Sequence, residues 1–239
     1  MKIKFSILLF LMSYFAYSQS LNYGFGFHYL TFDDNNVKST PLFRPLIGFS
    51  YKPKSITEDI YIRVENNLSW KGTRYRYDET FLNTNLSKNN VNSDYKIRFT
   101  TLEMPIFLGL KANEKFSIEA GPYIALIFSA KRKGKTNTTF TPAGNNPNVE
   151  KREYDENANY FNKNDFPDGQ ASKRPLKFYD YGLKVNLKYH LNSTFSFYGR
   201  VGVGLNDLFR NNYPFENAGV MSERQMSFEF GTSVNLNKD

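Results

Sequence analysis

The chain has 239 residues, a formal charge of +8 and no cysteine. That length suits one large β domain, and the missing cysteines exclude a disulfide framework, a thiolate metal site, a cysteine nucleophile and a lipid-modified cysteine. With only two histidines, His28 and His190, a two-histidine metal site or a compact Ser/His/Asp triad is not expected.

Lys2 and Lys4 precede an apolar run from Phe5 to Tyr17, and Ala16-Tyr17-Ser18 sets small residues before Gln19. This is the pattern of an export signal over residues 1–18, cleaved to leave a single domain over 19–239. The run is shorter than the roughly 20 residues of a spanning helix, and no later segment reaches that length without charges. Membrane residence therefore has to come from strands. Removing Lys2 and Lys4 leaves +6. In an exported protein that charge points to anionic lipid and lipopolysaccharide as counterparts, and away from nucleic acid.

Period-2 alternation then recurs along the chain. Leu21, Tyr23, Phe25, Phe27 and Tyr29 alternate with Asn22, Gly24, Gly26 and His28. Phe43 to Tyr51 alternate with Arg44, Gly48 and Ser50, and Ile60 to Trp70 with Tyr61, Arg63, Glu65, Asn67 and Ser69. Leu102 to Leu110 face away from Glu103, Pro105, Phe107 and Gly109; Phe116 to Phe128 face away from Ser117, Glu119, Gly121 and Tyr123. The cleanest run sets Tyr179, Tyr181, Leu183, Val185, Leu187 and Tyr189 against Asp180, Gly182, Lys184, Asn186 and Lys188. Phe195 to Leu205 oppose Ser196, Tyr198, Arg200, Gly202 and Gly204, and Met226 to Leu236 oppose Ser227, Glu229, Gly231 and Asn235. Eight strands result, and no segment has helical periodicity.

Short polar turns (52–58, 111–114, 192–193) alternate with long connections (71–94, 129–177, 206–224), the first connection (33–41) being intermediate. Turns at one end and long loops at the other describe an all-β, eight-stranded antiparallel up-and-down transmembrane β-barrel, with short periplasmic turns and long extracellular loops. The longest loop, rich in Asn, Lys, Gly and Pro, is read as mobile.

Alternation alone does not say which face is inside. Glycines crowd the polar face, where they would weaken a solvent-exposed strand but would make room within a narrow barrel. Arg44, Arg63, Lys184, Lys188 and Arg200 share that face with Glu65, Glu103, Glu119, Asp180 and Glu229, the balance a water-poor interior requires. Trp70 and Tyr179 fall near the loop ends, and Tyr51, Tyr189 and Phe195 near the turn ends, as two interfacial girdles. Glu103 then points inward, while Pro105 calls for a local bulge or a missing ladder bond.

Four stretches, LEMPIFLGLK (102–111), EAGPYIAL (119–126), DYGLKVNLKY (180–189) and GRVGVGLNDL (199–208), resemble the PorT-type small outer-membrane β-barrel proteins of the Bacteroidetes. The resemblance covers most of the mature chain. It implies an outer-membrane barrel, delivered by general export and barrel insertion, with no catalytic constellation and no cofactor. The end of the chain, SVNLNKD, departs from the pattern in lacking a terminal aromatic.

His28 reads as a hydrogen-bonded interior side chain rather than a catalytic base, and Glu103 and Glu119 as salt-bridged rather than an acid/base pair. The partial GxG of Gly202 and Gly204 has no phosphate loop after it. Lys131, Arg132, Lys133 and Lys135 open the longest loop, where they could contact lipopolysaccharide phosphates; a solvated loop base is the plainer reading. The expectation is a monomeric barrel without an open pore and without enzymatic activity, with a structural or surface-interaction role, an envelope protein being the partner reached through the extracellular loops. Two alternatives stand beside it: a barrel enzyme modifying outer-membrane lipid through His28, and a soluble periplasmic barrel of lipocalin shape with an apolar cavity.

Overall fold

The computed structural model describes residues 19–32, 37–82, 88–141, 149–161, 176–208 and 223–236. The signal segment 1–18, residues 33–36 of the first connection, and 209–222 of the last lie outside them. In chain order the strands are β1 (Ser20–Phe32), β2 (Val37–Ser55), β3 (Ile60–Leu82), β4 (Lys88–Lys111), β5 (Phe116–Thr141), β6 (Glu150–Asn159), β7 (Tyr179–His190), β8 (Phe195–Gly204) and β9 (Glu223–Asn235). Eight of them close an antiparallel ring in the order β1-β2-β3-β4-β5-β7-β8-β9, with β9 returning to β1. The ninth, β6, lies outside the ring and pairs with the distal half of β5, Lys131 to Phe140, while β7 pairs with the proximal half.

The three turns at one end share one device. Thr57 Oγ1, Asn113 Oδ1 and Asn192 Oδ1 each accept hydrogen bonds from the backbone N–H groups two and three residues on, at 2.7–3.3 Å. Such side-chain-closed turns suit Thr and Asn and need few residues.

At the other end the structure departs from the sequence reading. Residues 71–82, 88–94 and much of 129–177, expected as loops, are strand: β3 and β4 stay paired as far as Leu82 and Lys88, and β4 and β5 as far as Lys88 and Thr141. From Ile60 to Trp70 the outward residues of β3 are mostly apolar. Ten rises of about 3.3 Å on a strand tilted by about 40° span about 25 Å, the height of a lipid-facing band. The rest of β3 therefore projects beyond the membrane.

The orientation is settled by exposure. Leu183, Val185 and Leu187 are 54%, 53% and 51% exposed, whereas Lys184 and Glu229 are 1% and 3% exposed. Apolar side chains cover the outside and ions fill the inside, so the apolar cavity of a lipocalin-like barrel is absent from the described ring. Trp70 and Tyr179 lie on the outer face at the loop-side edge of the band, and Phe195 at the turn-side edge. Interior glycines accommodate tyrosines: a Cβ on Gly109 would lie 2.4 Å from the Tyr61 ring, and one on Gly231 would lie 2.6 Å from the Tyr198 hydroxyl.

Around Pro105 the ladders have gaps rather than a bulge, at Pro105 itself toward β3 and opposite Pro122 toward β5. Ladder pairs are missing between Val64/Ile106 and Asn67/Glu103 on one side, and between Pro105/Tyr123 and Leu108/Ala120 on the other, with the register unchanged. The bulge lies higher, where Thr100 pairs with Ser129 but Thr101 pairs with Ile127, leaving Phe128 as an extra residue on β5.

Candidate functional site

Two sites emerge, a buried ion column inside the ring and a charged face on the extension above it. Inward positions of β3, β4, β5, β7, β8 and β9 supply the column. Near the turn end, Glu119 accepts from Tyr61 Oη at 2.7 Å and from Arg63 Nε at 2.8 Å, and also from Asn186. Arg63 bridges Glu119 to Glu65, and Arg200 binds Glu65 at 2.8 Å and Glu229 at 3.3 Å. Lys184 Nζ sits 2.7 Å from both Glu229 and Glu103, and Glu103 also receives Lys71. With its amide oriented to satisfy both neighbours, Gln225 accepts from Lys71 at 3.3 Å and donates to Asp180 at 2.8 Å, and Asp180 accepts from the Tyr123 hydroxyl at 2.8 Å. Each cation thus joins two acceptors along an unbroken chain from Glu119 to Asp180. The Phe107 ring lies between the guanidinium groups of Arg63 and Arg200, at 5.0 and 5.1 Å.

The structure brings Arg63, Glu65, Glu103, Glu119, Lys184, Arg200 and Glu229 together in this column, with Asp180 at its loop end. It leaves out two residues assigned to it. Arg44, half-buried beside the register shift between Pro41 and Leu46, makes no ion pair with a described residue; the charge that acts on it is the like charge of Arg98. Lys188 is 7% exposed but ends in a cavity at the turn-side mouth, without an ion pair among the described residues. Lys71, placed in a loop by the sequence reading, takes the vacant role.

His28 is buried as expected, but neither ring nitrogen has a hydrogen-bond partner among the described residues, which corrects the expected hydrogen-bonded histidine. His190 lies at the opposite end of the barrel and joins Ser117 at 3.0 Å and Ser196 at 2.9 Å. Glu103 and Glu119 are held by different cations, so they form no acid/base pair. No group of three or more potential metal ligands occurs among the described residues.

Above the band the pattern inverts. Tyr75, Tyr77, Tyr95, Ile97, Phe99, Ala130 and Tyr160 turn inward as a hydrophobic core on the loop side of the column. Burial, followed by the neighbouring Tyr160, pushes the Tyr75 hydroxyl well above its ordinary value. The outward positions become charged. Register aligns Arg98 with Lys131, aligns Arg74 with Lys96 and Lys133, and aligns Arg76 with Asp94 and Lys135. Hydrogen bonds from Arg74 hold the Asp94 carboxyl below the usual carboxylate range.

The four cations expected at the start of a loop lie on β5 and are split between its two faces after the Phe128 bulge. An extra residue exchanges inward and outward positions along the rest of β5. Lys131, Lys133 and Lys135 face out, while Arg132 points in, its guanidinium 4.9 Å from the Tyr95 ring and 6.0 Å from that of Tyr160. A change of phase in the sequence marks this inversion: the apolar residues of β3 occupy even positions through Leu68 and Trp70, then odd positions at Tyr75 and Tyr77.

A family model described as outer membrane protein beta-barrel domain matches residues 17–210. Among solved structures, Ail of Yersinia pestis, determined in complex with the heparin analogue sucrose octasulfate, is 10% identical with a TM-score of 0.40, covering 91% of this chain and 97% of that one. Neisserial surface protein A is also 10% identical with a TM-score of 0.40, covering 91% and 96%. The translocator domain of the autotransporter NalP of Neisseria meningitidis is 7% identical with a TM-score of 0.29, covering 98% and 95%. These likenesses are slight and carry no weight for function, and no curated protein matches the chain. The family match spans most of the chain and agrees with the closed antiparallel ring, so the protein belongs to the outer membrane protein beta-barrel domain family.

Proposed function

We propose that this protein is a monomeric, non-enzymatic outer-membrane barrel without an open pore, which supports a folded extracellular extension used for surface interaction. The ion column carries the reading. Its cations and carboxylates occupy one another along the ring interior, and the aromatic core lies above them on the loop side. Eight strands leave an interior that side chains fill. Ring closure through β1 and β9 leaves no described membrane-spanning strand with a free edge, which favours a monomer.

The extension offers two contacts. Its outward basic rows, with Arg74, Lys96, Arg98, Lys131 and Lys133, and Asp94 bound to Arg74, sit just beyond Trp70, at the height of lipopolysaccharide phosphates. The other edge of β6 pairs with no described strand, so it suits docking of an envelope protein by strand addition. Membership of the PorT type, export through a cleaved signal and a role beside an outer-membrane assembly belong to the same proposal, supported by the four stretches at 102–111, 119–126, 180–189 and 199–208 and by the N-terminal pattern.

The test combines conductance with lipopolysaccharide binding. Protein reconstituted in planar bilayers gives no stable conductance steps. Detergent-solubilised protein binds phosphorylated lipopolysaccharide more tightly than the dephosphorylated form, and the combined variant Lys96→Gln, Lys131→Gln, Lys133→Gln loses that preference. Regular conductance steps would overturn the closed interior, and equal binding of both lipopolysaccharide forms would overturn the basic face.

A further inference from the structure

Below the ion column, at the mouth on the turn side, lies a cavity of about 190 Å³. Four cations line it, Lys52, Arg63, Lys111 and Lys188, together with one carboxylate, Glu119, and six serine and threonine hydroxyls. Glu119 is already saturated: Oε1 receives Tyr61 and Arg63, and Oε2 receives Arg63 and Asn186. It therefore accounts for one cation and has no acceptor to spare. Lys188, more than nine-tenths buried, faces the cavity and makes no hydrogen bond or ion pair with any described residue. Lys52 leans over the Tyr61 ring at 4.3 Å and has no carboxylate partner among the described residues.

An amine buried beside three other cations needs an anion to offset its desolvation and their mutual repulsion. We propose that this mouth is a binding site for a phosphate-class anion, an inorganic phosphate or the phosphate of a small monoester or lipid headgroup. Tetrahedral oxygens present acceptors in every direction, which matches amines and hydroxyls distributed around the wall. A carboxylate would satisfy donors on one side, and a halide offers no directional acceptor. The cavity holds a phosphate with several waters, each occupying roughly 30 Å³ in the liquid. The turn end faces the periplasm in a barrel of this family, so both soluble phosphate and inner-leaflet headgroups can reach it.

Titration of the full protein in zwitterionic detergent with inorganic phosphate, followed by calorimetry and phosphorus NMR, tests the site. Saturable binding at constant ionic strength is expected. Lys188→Gln should weaken it at least tenfold, equivalent to about 1.4 kcal/mol, while Lys38→Gln, exposed on β2 beyond the band, should leave it within twofold. Folding is checked by heat-modifiable gel mobility; should Lys188→Gln not fold, Lys52→Gln at the rim is expected to weaken binding at least threefold. Competition by phosphatidylglycerol nanodiscs, but not phosphatidylcholine nanodiscs, would assign the headgroup as the natural source; no competition would assign the free anion. Binding that does not saturate, or that neither mouth variant weakens, would overturn the proposal.

Discussion

Lys184 is the tightest joint of the ion column, and its removal is the sharpest test of how that column stabilises the fold. Its ammonium lies 2.7 Å from both Glu103 and Glu229, and all three side chains are almost wholly buried. Lys184→Met keeps the side-chain volume but leaves two carboxylates short of a partner. Glu103 retains Lys71, whereas Glu229 retains only the longer contact to Arg200 at 3.3 Å. Stranding a buried charge costs about 3–5 kcal/mol. With a urea slope of about 2 kcal/mol per molar, the unfolding midpoint should fall by about 2 M. The assay is equilibrium unfolding in lipid vesicles, followed by gel mobility and by the fluorescence of Trp70, the single tryptophan. Adding Glu229→Gln removes the stranded carboxylate, so the double variant should recover at least about 1 kcal/mol relative to Lys184→Met. If the two substitutions instead destabilise additively, within about 0.5 kcal/mol, the residues do not act as a pair and the column is not a coupled unit.

Gly109→Ala would drive a methyl group into the Tyr61 ring, lowering stability by about 1–3 kcal/mol, and Tyr61→Val in the same chain should restore part of the loss in the same unfolding assay. Arg132→Gln should leave lipopolysaccharide binding intact but expose the extension to limited proteolysis, since its guanidinium packs on Tyr95 and Tyr160; loss of binding with unchanged proteolysis would place Arg132 on the outer face. Trp70 emission should be quenched more by lipids brominated near the carbonyl than by those brominated mid-chain, and the reverse order would move the membrane edge. The Asp94 carboxyl is depressed by Arg74, so its contribution to the β3–β4 hairpin is present above the unfolded carboxylate pKa and lost as pH falls through the lower folded value. Amide exchange of that hairpin should rise there by a modest factor, because the pair is partly exposed.

Within the membrane band the sequence was legible because lipid outside and a tight interior impose the same alternation on every strand. The Ile60–Trp70 and Tyr179–Tyr189 runs therefore placed Arg63, Glu65 and Lys184 inward without further information. Partner choice was not legible. Lys71 follows Trp70 in what composition presents as a loop, and its pairing with Glu103 depends on the β3–β4 register continuing past the band. Lys188 shares the alternation of Lys184 but lies at the mouth, a difference of height that a single strand does not encode. Arg132 was misplaced because one extra residue, Phe128, reverses the parity of everything after it on β5.

The reversal has a physical origin that also locates the membrane. Against acyl chains the outer face must be apolar, which confines the ions to the interior, where they have to satisfy one another. Beyond the headgroups, water surrounds the same strands, so charge moves outward and the interior is free to form an ordinary hydrophobic core. β3 makes the change without altering its geometry: Ser69 and Lys71 face inward as Leu68 and Trp70 face lipid, and a few residues on Tyr75 faces inward as Arg74 and Arg76 face out. On β5 the bulge makes the change, putting Lys131, Lys133 and Lys135 on the wet side. One strand uses composition and its neighbour but one uses an inserted residue to reach the same inversion at the same height, so the boundary is imposed by the surroundings rather than by either strand alone.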